Sequence, residues 1–133
     1  MELDVLAGEY AVCRLDAGEA LPDWIGPRDG SRLCSVTWAG TELSVLCPAE
    51  QVPVDEEAGD VRVTAGWLAL RVRGPLDFAL IGVLASLAEP LREAGVSVFS
   101  VSTFDTDYLL VPAADRFTAL AALREAGHTI AEG

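Results

Sequence analysis

Val96-Ser97-Val98-Phe99-Ser100-Val101-Ser102-Thr103-Phe104-Asp105-Thr106-Asp107-Tyr108-Leu109-Leu110-Val111 is the stretch on which the fold turns. Residues 96–102 are rich in β-formers, with Val96, Val98, Ser100 and Ser102 on one face and Ser97, Phe99 and Val101 on the other. The polar turn at residues 103–106 joins them to a second apolar run at 107–111, so the pattern predicts a hairpin. Upstream, residues 67–72 alternate as a strand and Gly74-Pro75 breaks it. Asp77 is placed to cap a helix in which Phe78, Ile81, Leu84, Ala85 and Ala88 recur at helical spacing. Leu80, Val83 and Leu87 give that helix a second apolar side, Pro90 is expected to kink or divide it, and Gly95 to end it. Downstream, residues 113–126 read as a second helix with Phe117, Leu120, Ala121 and Leu123 inward, and His128-Thr129-Ile130 opens a last strand. The order β-α-β-β-α-β predicts an α+β, ferredoxin-like unit.

Working outward, the first half reads as shorter strands at residues 10–15, 33–38 and 42–47, with Ala39-Gly40-Thr41 as a hairpin turn and one more short strand at 61–64. The halves match each other. Tyr10-Ala11-Val12-Cys13-Arg14-Leu15 lines up with Trp67-Leu68-Ala69-Leu70-Arg71-Val72, Ser35-Val36-Thr37 with Ser100-Val101-Ser102, and Thr41-Glu42 with Thr106-Asp107. The first half has eight fewer residues between its first two strands, about two helical turns. Two related units are expected, residues 1–64 with shortened helices and residues 65–133 complete; a chance match of β-rich hairpins is the alternative.

The chain has 133 residues, 51% hydrophobic and 23% charged, and a mean hydropathy of +0.34, which excludes a disordered chain and predicts a soluble core-forming one. Lysine is absent. Nine arginines against 21 acidic residues leave a formal charge of −12, a field that repels nucleic-acid phosphates and anionic membrane surfaces. The amino terminus lacks the basic and apolar regions of a signal peptide, and the longest apolar stretch is interrupted by Asp77, Glu89 and Pro90. Cys13, Cys34 and Cys47 form no CxxC pair and read as buried free thiols. A cytoplasmic protein is expected.

Catalytic chemistry has no constellation to stand on: no catalytic residue, metal set or cofactor fingerprint emerges. The single histidine, His128, follows a helix-capping glycine and reads as structural or solvated. The sequence has no GxSxG elbow, HExxH, P-loop or GxGxxG. One place has the residues for binding. Gly74, Pro75, Leu76 and Asp77 open the most apolar helix, where free N–H groups and the helix dipole favour a carboxylate. The hairpin turn supplies hydroxyls and carboxylates for an ammonium group, with Phe104 to cover an apolar stem. Read from residue types alone, the same features also describe a polar turn beside a helix cap.

The segments Gly74-Pro75-Leu76-Asp77-Phe78, Ile81-Gly82-Val83-Leu84-Ala85, the run at 91–99 and above all Ser102-Thr103-Phe104-Asp105-Thr106-Asp107-Tyr108 resemble the two-ACT-repeat family of amino-acid-binding regulators, similar in their ACT units to cytosolic arginine sensors. The resemblance implies tandem ferredoxin-like ACT units that hold an effector amino acid and catalyse nothing. It places Gly74, Pro75, Leu76 and Asp77 beside the ligand backbone and makes Thr103, Phe104 and Asp107 hairpin contacts, with Asp107 facing an ammonium or basic group. The matching positions of the first unit, Trp38, Ala39 and Glu42, depart from that pattern. Homodimerisation is common in the family, and a downstream protein partner is implied. The alternative is a ligand-free interaction module of the same fold.

Overall fold

The computed structural model describes residues 1–18, 20–26, 32–53, 61–74 and 82–132. Along the chain come strands β1 (Glu2–Val5), β2 (Tyr10–Asp16), β3 (Ser35–Ala39), β4 (Glu42–Pro48) and β5 (Arg62–Val72). Helix α1 (Val83–Glu93), strands β6 (Phe99–Ser102) and β7 (Asp107–Pro112), helix α2 (Arg116–Glu125) and strand β8 (Thr129–Ala131) follow. The chain divides into two compact units, one of Gly8–Gly66 and one of Met1–Ala7 with Trp67–Gly133. The sequence reading drew a single boundary at 64/65; the contacts instead group the first seven residues with the second half.

That grouping follows from β1, which the sequence reading took only for an acidic terminus. Glu2-Leu3-Asp4-Val5 alternates like any half-buried strand. Leu3 is 1% exposed and lies in the core, while Glu2 and Asp4 point to the other face, where Arg73 meets them. β1 pairs antiparallel with β5 (Leu3↔Val72, Val5↔Leu70) and parallel with β8 (Leu3↔Ile130). The sheet of this unit therefore runs β6-β7-β5-β1-β8, a βαββαβ ferredoxin-like plan with one strand added between its first and last.

Leu68, Leu70 and Val72 of β5, with Leu109 and Val111 of β7, face the helices, and Leu87, Leu91, Ala119, Leu120 and Leu123 complete the core. The expected faces of both helices need correction. In α1 the buried row is Leu87 and Leu91, with Val83 packed against the core, while Leu84 stays 37% exposed and Ala85 is exposed. The row 83-87-91 keeps the i, i+4 spacing and lies one residue away from the expected one; Phe78, Leu80 and Ile81 lie outside the described residues. In α2, Ala119, Leu120 and Leu123 set the inward arc, and Phe117 falls about 110° from its centre at 100° per residue. Phe117 is 88% exposed and Ala121 is exposed as well. A 3₁₀ turn, Ala113–Asp115, precedes α2 and starts the expected helix.

Pro90 neither divides α1 nor ends it. A proline inside a helix has no N–H for the carbonyl four residues back, here that of Ser86. His128 Nε2 lies 3.0 Å from that oxygen and donates to it, so the carbonyl keeps a partner and the helix continues. The histidine is structural, and its Nδ1 lies 3.1 Å from the Met1 amino nitrogen.

The Gly8–Gly66 unit is a meander in the order β3-β4-β2. Its hairpin turns at Gly40 (φ +60), a conformation that suits glycine. Ala11, Cys13, Leu15, Leu43, Val45 and Cys47 share one face and form its core with Ile25. Tyr10, fully buried on the other face, accepts a hydrogen bond from the Leu33 N–H, and the Arg32 guanidinium sits 5.7 Å from its ring centre. Arg32 also pairs with Glu50 and lies against Gly8, where a Cβ would come within 2.7 Å of Nη2. No α-helix occurs among the described residues of this unit. The internal match survives at the strand ends: β4 and β7 both finish in a proline (φ −53, ψ 132 and φ −57, ψ 131), and each leads into a three-residue 3₁₀ turn. The two strands expected at 61–64 and 67–72 are one, β5, which passes through Gly66 at φ +84.

Leu91→Ala is expected to cost about 2–5 kcal/mol in urea denaturation, whereas Phe117→Ala should stay within about 0.5 kcal/mol of the parent.

Candidate functional site

β5 leads out of the core through Arg73 to Gly74, and both sides of that exit are tied down. The Arg73 N–H donates to the Glu2 carbonyl (2.8 Å), and its guanidinium donates to both oxygens of Asp4 (2.5 and 3.2 Å) and to Glu2 (3.4 Å). The hydrogen bond from Arg73 holds the Asp4 carboxyl below its usual range, and Asp4 in turn raises Arg73. Glu2 and Arg73 are exposed and Asp4 is half-buried, so the pairing locates the chain more than it stabilises it.

The β6–β7 hairpin returns to the same strand end. Thr106 Oγ1 donates to the Val72 carbonyl at 2.6 Å, and Thr106, 3% exposed, is the buried polar side chain of the described core. The turn closes on itself: the Thr103 N–H and Oγ1 both donate to the Thr106 carbonyl (2.9 and 3.2 Å). Ser102 Oγ donates to Asp107 Oδ1 at 2.6 Å, and the two residues face each other across the ladder. The hairpin is thus fixed two residues before Gly74.

Of the residues expected at the site, Gly74, Thr103, Phe104 and Asp107 are described, and Pro75, Leu76 and Asp77 lie outside the described residues. Thr103 is occupied in building the turn, Asp107 is oriented by Ser102, and Phe104 is 81% exposed at the hairpin tip. The sequence reading missed Thr106, whose only signal was a hydroxyl between two aspartates, and Arg73, whose partners are distant in the chain. A cavity of about 190 Å³ between α1 and β6 is lined by Leu84, Ala88, Val98, Phe99, Ser100 and Leu109, and by none of the expected site residues. Among the described residues no cluster of histidine, cysteine and carboxylate side chains can hold a metal ion, and no helix is long and apolar enough to cross a membrane.

An ACT domain family model matches residues 62–125, covering β5 through α2. A crystal structure of a protein from Agrobacterium tumefaciens superposes with a TM-score of 0.86 at 36% identity, over 99% of this chain and 92% of that one. The chain belongs to the ACT domain family. The ACT match lies within the βαββαβ unit apart from the first residues of β5, and a separate model, described only as an N-terminal domain, matches residues 8–55 in the other unit. The human cytosolic arginine sensor for mTORC1 subunit 1 is 43% identical over 47 residues, which are 35% of this chain and 14% of that protein. The ACT fold also appears in the regulatory subunit of aspartate kinase from Thermus thermophilus, with a TM-score of 0.61 at 11% identity over 93% of this chain and 95% of that one. A Vibrio cholerae protein of unknown function, described as a possible transport protein, superposes with a TM-score of 0.71 at 22% identity over 94% of this chain and 88% of that one.

Two outcomes test this description. Thr106→Val removes the donor to a buried carbonyl and is expected to lose about 1–3 kcal/mol, while Thr106→Ser, which keeps the hydroxyl, should lose less in the same denaturation assay. Asp4 (through Arg73), Glu89 (through Arg92) and Glu132 (through Arg116 and Arg124) all have lowered carboxyl pKa values. Their contribution is fully present above the ordinary carboxylate range and is lost as pH falls through the lowered values. The melting temperature should therefore hold above about pH 5 and decline below about pH 4, with a shallower decline in Asp4→Asn.

Proposed function

We propose that this protein binds a free amino acid and reports its presence to a protein partner, without catalysing a reaction. The observation that carries the reading is the Thr106–Val72 hydrogen bond, which fixes a hairpin bearing Thr103, Phe104 and Asp107 beside the strand exit at Gly74. A short ligand needs its two ends recognised together. Gly74 with Pro75, Leu76 and Asp77 is the side proposed for the ligand backbone, and Asp107, already oriented by Ser102, is the acceptor for its ammonium or basic group. Phe104 at the hairpin tip is the apolar contact. Relationship to ACT regulators, and to an arginine sensor over 47 residues, supports an amino acid as the ligand class. The residue 1–64 half is read as a degenerate ACT unit that retains the hairpin and the proline-ended strand.

With a formal charge of −12, neither nucleic acid nor an anionic membrane is the partner proposed; a protein in the cytoplasm is, and a second copy of the chain fits the same reading.

The test is thermal unfolding with each common amino acid at millimolar concentration. A ligand at about a hundred times its dissociation constant adds ~2.7 kcal/mol, a rise of several degrees. One or two amino acids are expected to give that rise, and Asp107→Ala to abolish it. Equal binding by Asp107→Ala would remove the ammonium assignment. The absence of a shift with every amino acid would replace the sensor with a ligand-free interaction module.

A further inference from the structure

We propose that Cys34 and Cys47 form a peroxide-responsive thiol pair, Cys34 taking the oxidant and Cys47 closing a disulfide between the neighbouring ends of β3 and β4. All three cysteines are free and lie in the Gly8–Gly66 unit. The β3–β4 register ends at Ser35↔Leu46, and continued by one residue it would set Cys34 opposite Cys47. The kind of pair can be worked out from the turn. Ala39 and Glu42 flank the two-residue loop and are a hydrogen-bonded pair, so alternation makes Val36–Val45, and then Cys34–Cys47, non-hydrogen-bonded pairs. Side chains in such pairs stand closest, near the spacing a disulfide requires. Cys34 packs against the cluster that contains Cys47, on the same side as Val36 and Val45.

Exposure assigns the roles. Cys47 and Cys13 are fully buried, whereas Cys34 is only partly buried, just before edge strand β3. The hydrogen bond with Cys13 and burial push the Cys47 thiol up, so Cys47 stays protonated until a sulfenic acid forms beside it. Cys13 is opposite Val45, diagonal to Cys47, and although it hydrogen-bonds the Cys47 thiol it is fully buried, away from the oxidant. In the reaction the Cys34 thiolate attacks one peroxide oxygen and hydroxide leaves, giving the sulfenic acid. Cys47 sulfur then displaces that hydroxyl, which departs as water with the Cys47 proton. Two thiols lose two electrons, and hydrogen peroxide becomes two waters.

The test treats the whole protein with hydrogen peroxide, alkylates the remaining thiols, and reads intact mass and a non-reducing peptide map. The expected product has lost two hydrogens, joins Cys34 to Cys47, leaves Cys13 alkylated, and reverts with dithiothreitol. Cys13→Ala should still close the bridge. Cys47→Ala should stop at a dimedone-trapped sulfenic acid on Cys34, and Cys34→Ser should oxidise at least roughly tenfold more slowly than the parent. Melting curves of each variant establish that it is folded. A Cys13–Cys47 bridge, unmodified Cys34 in peroxide-treated parent, or a Cys34→Ser variant as reactive as the parent would each overturn the proposal.

Discussion

The alternation of β5 is the constraint on which the rest of the βαββαβ unit depends. Leu68, Leu70 and Val72 turn to the helices, and Trp67, Ala69 and Arg71 to the opposite side, with Trp67 meeting Phe99 edge-on at 4.7 Å. Because the strand is paired on both edges, by β1 and by β7, its register fixes theirs. A slip by one residue would turn its leucines away from α1 and α2. The position of the hairpin follows too, since the Val72 carbonyl that receives Thr106 is the last of the β5 ladder.

Much of this was legible in the chain. The strands of the second half have clean alternation, the turn residues are polar, and the helix C-termini are marked by Gly95 and Gly127, both at positive φ. The order of elements, and so the fold class, follows from those local signals. What failed was rotational phase within the helices. Residues 83–91 offer apolar side chains in nearly every direction, so periodicity could not choose between Leu84 and Leu87; packing against the sheet did. Phe117 misled for a related reason: a large apolar residue was assigned inward, while the small Ala119 is what fits under the helix. β1 escaped notice because two of its four residues are acidic, and their partner, Arg73, is distant in sequence.

The candidate site was legible in outline only. Residue types near Gly74 and in the Thr103–Asp107 turn suggested binding, but their proximity depends on a hydrogen bond between Thr106 and a backbone carbonyl across the sheet, which no sequence pattern encodes. The hairpin presents an oriented carboxylate, hydroxyls that shape a turn, and an aromatic side chain at its tip. The same fold is found in the regulatory subunit of an aspartate kinase.

The contact between His128 and the Ser86 carbonyl links two positions through a missing atom. At residue 90, any amino acid other than proline would supply its own N–H to the Ser86 carbonyl, which would then be shared with His128. Conversely, a proline at 90 without a donor at 128 would leave that carbonyl to solvent. The two positions are therefore physically coupled: a change at 90 alters what 128 must supply, although they are distant in the chain.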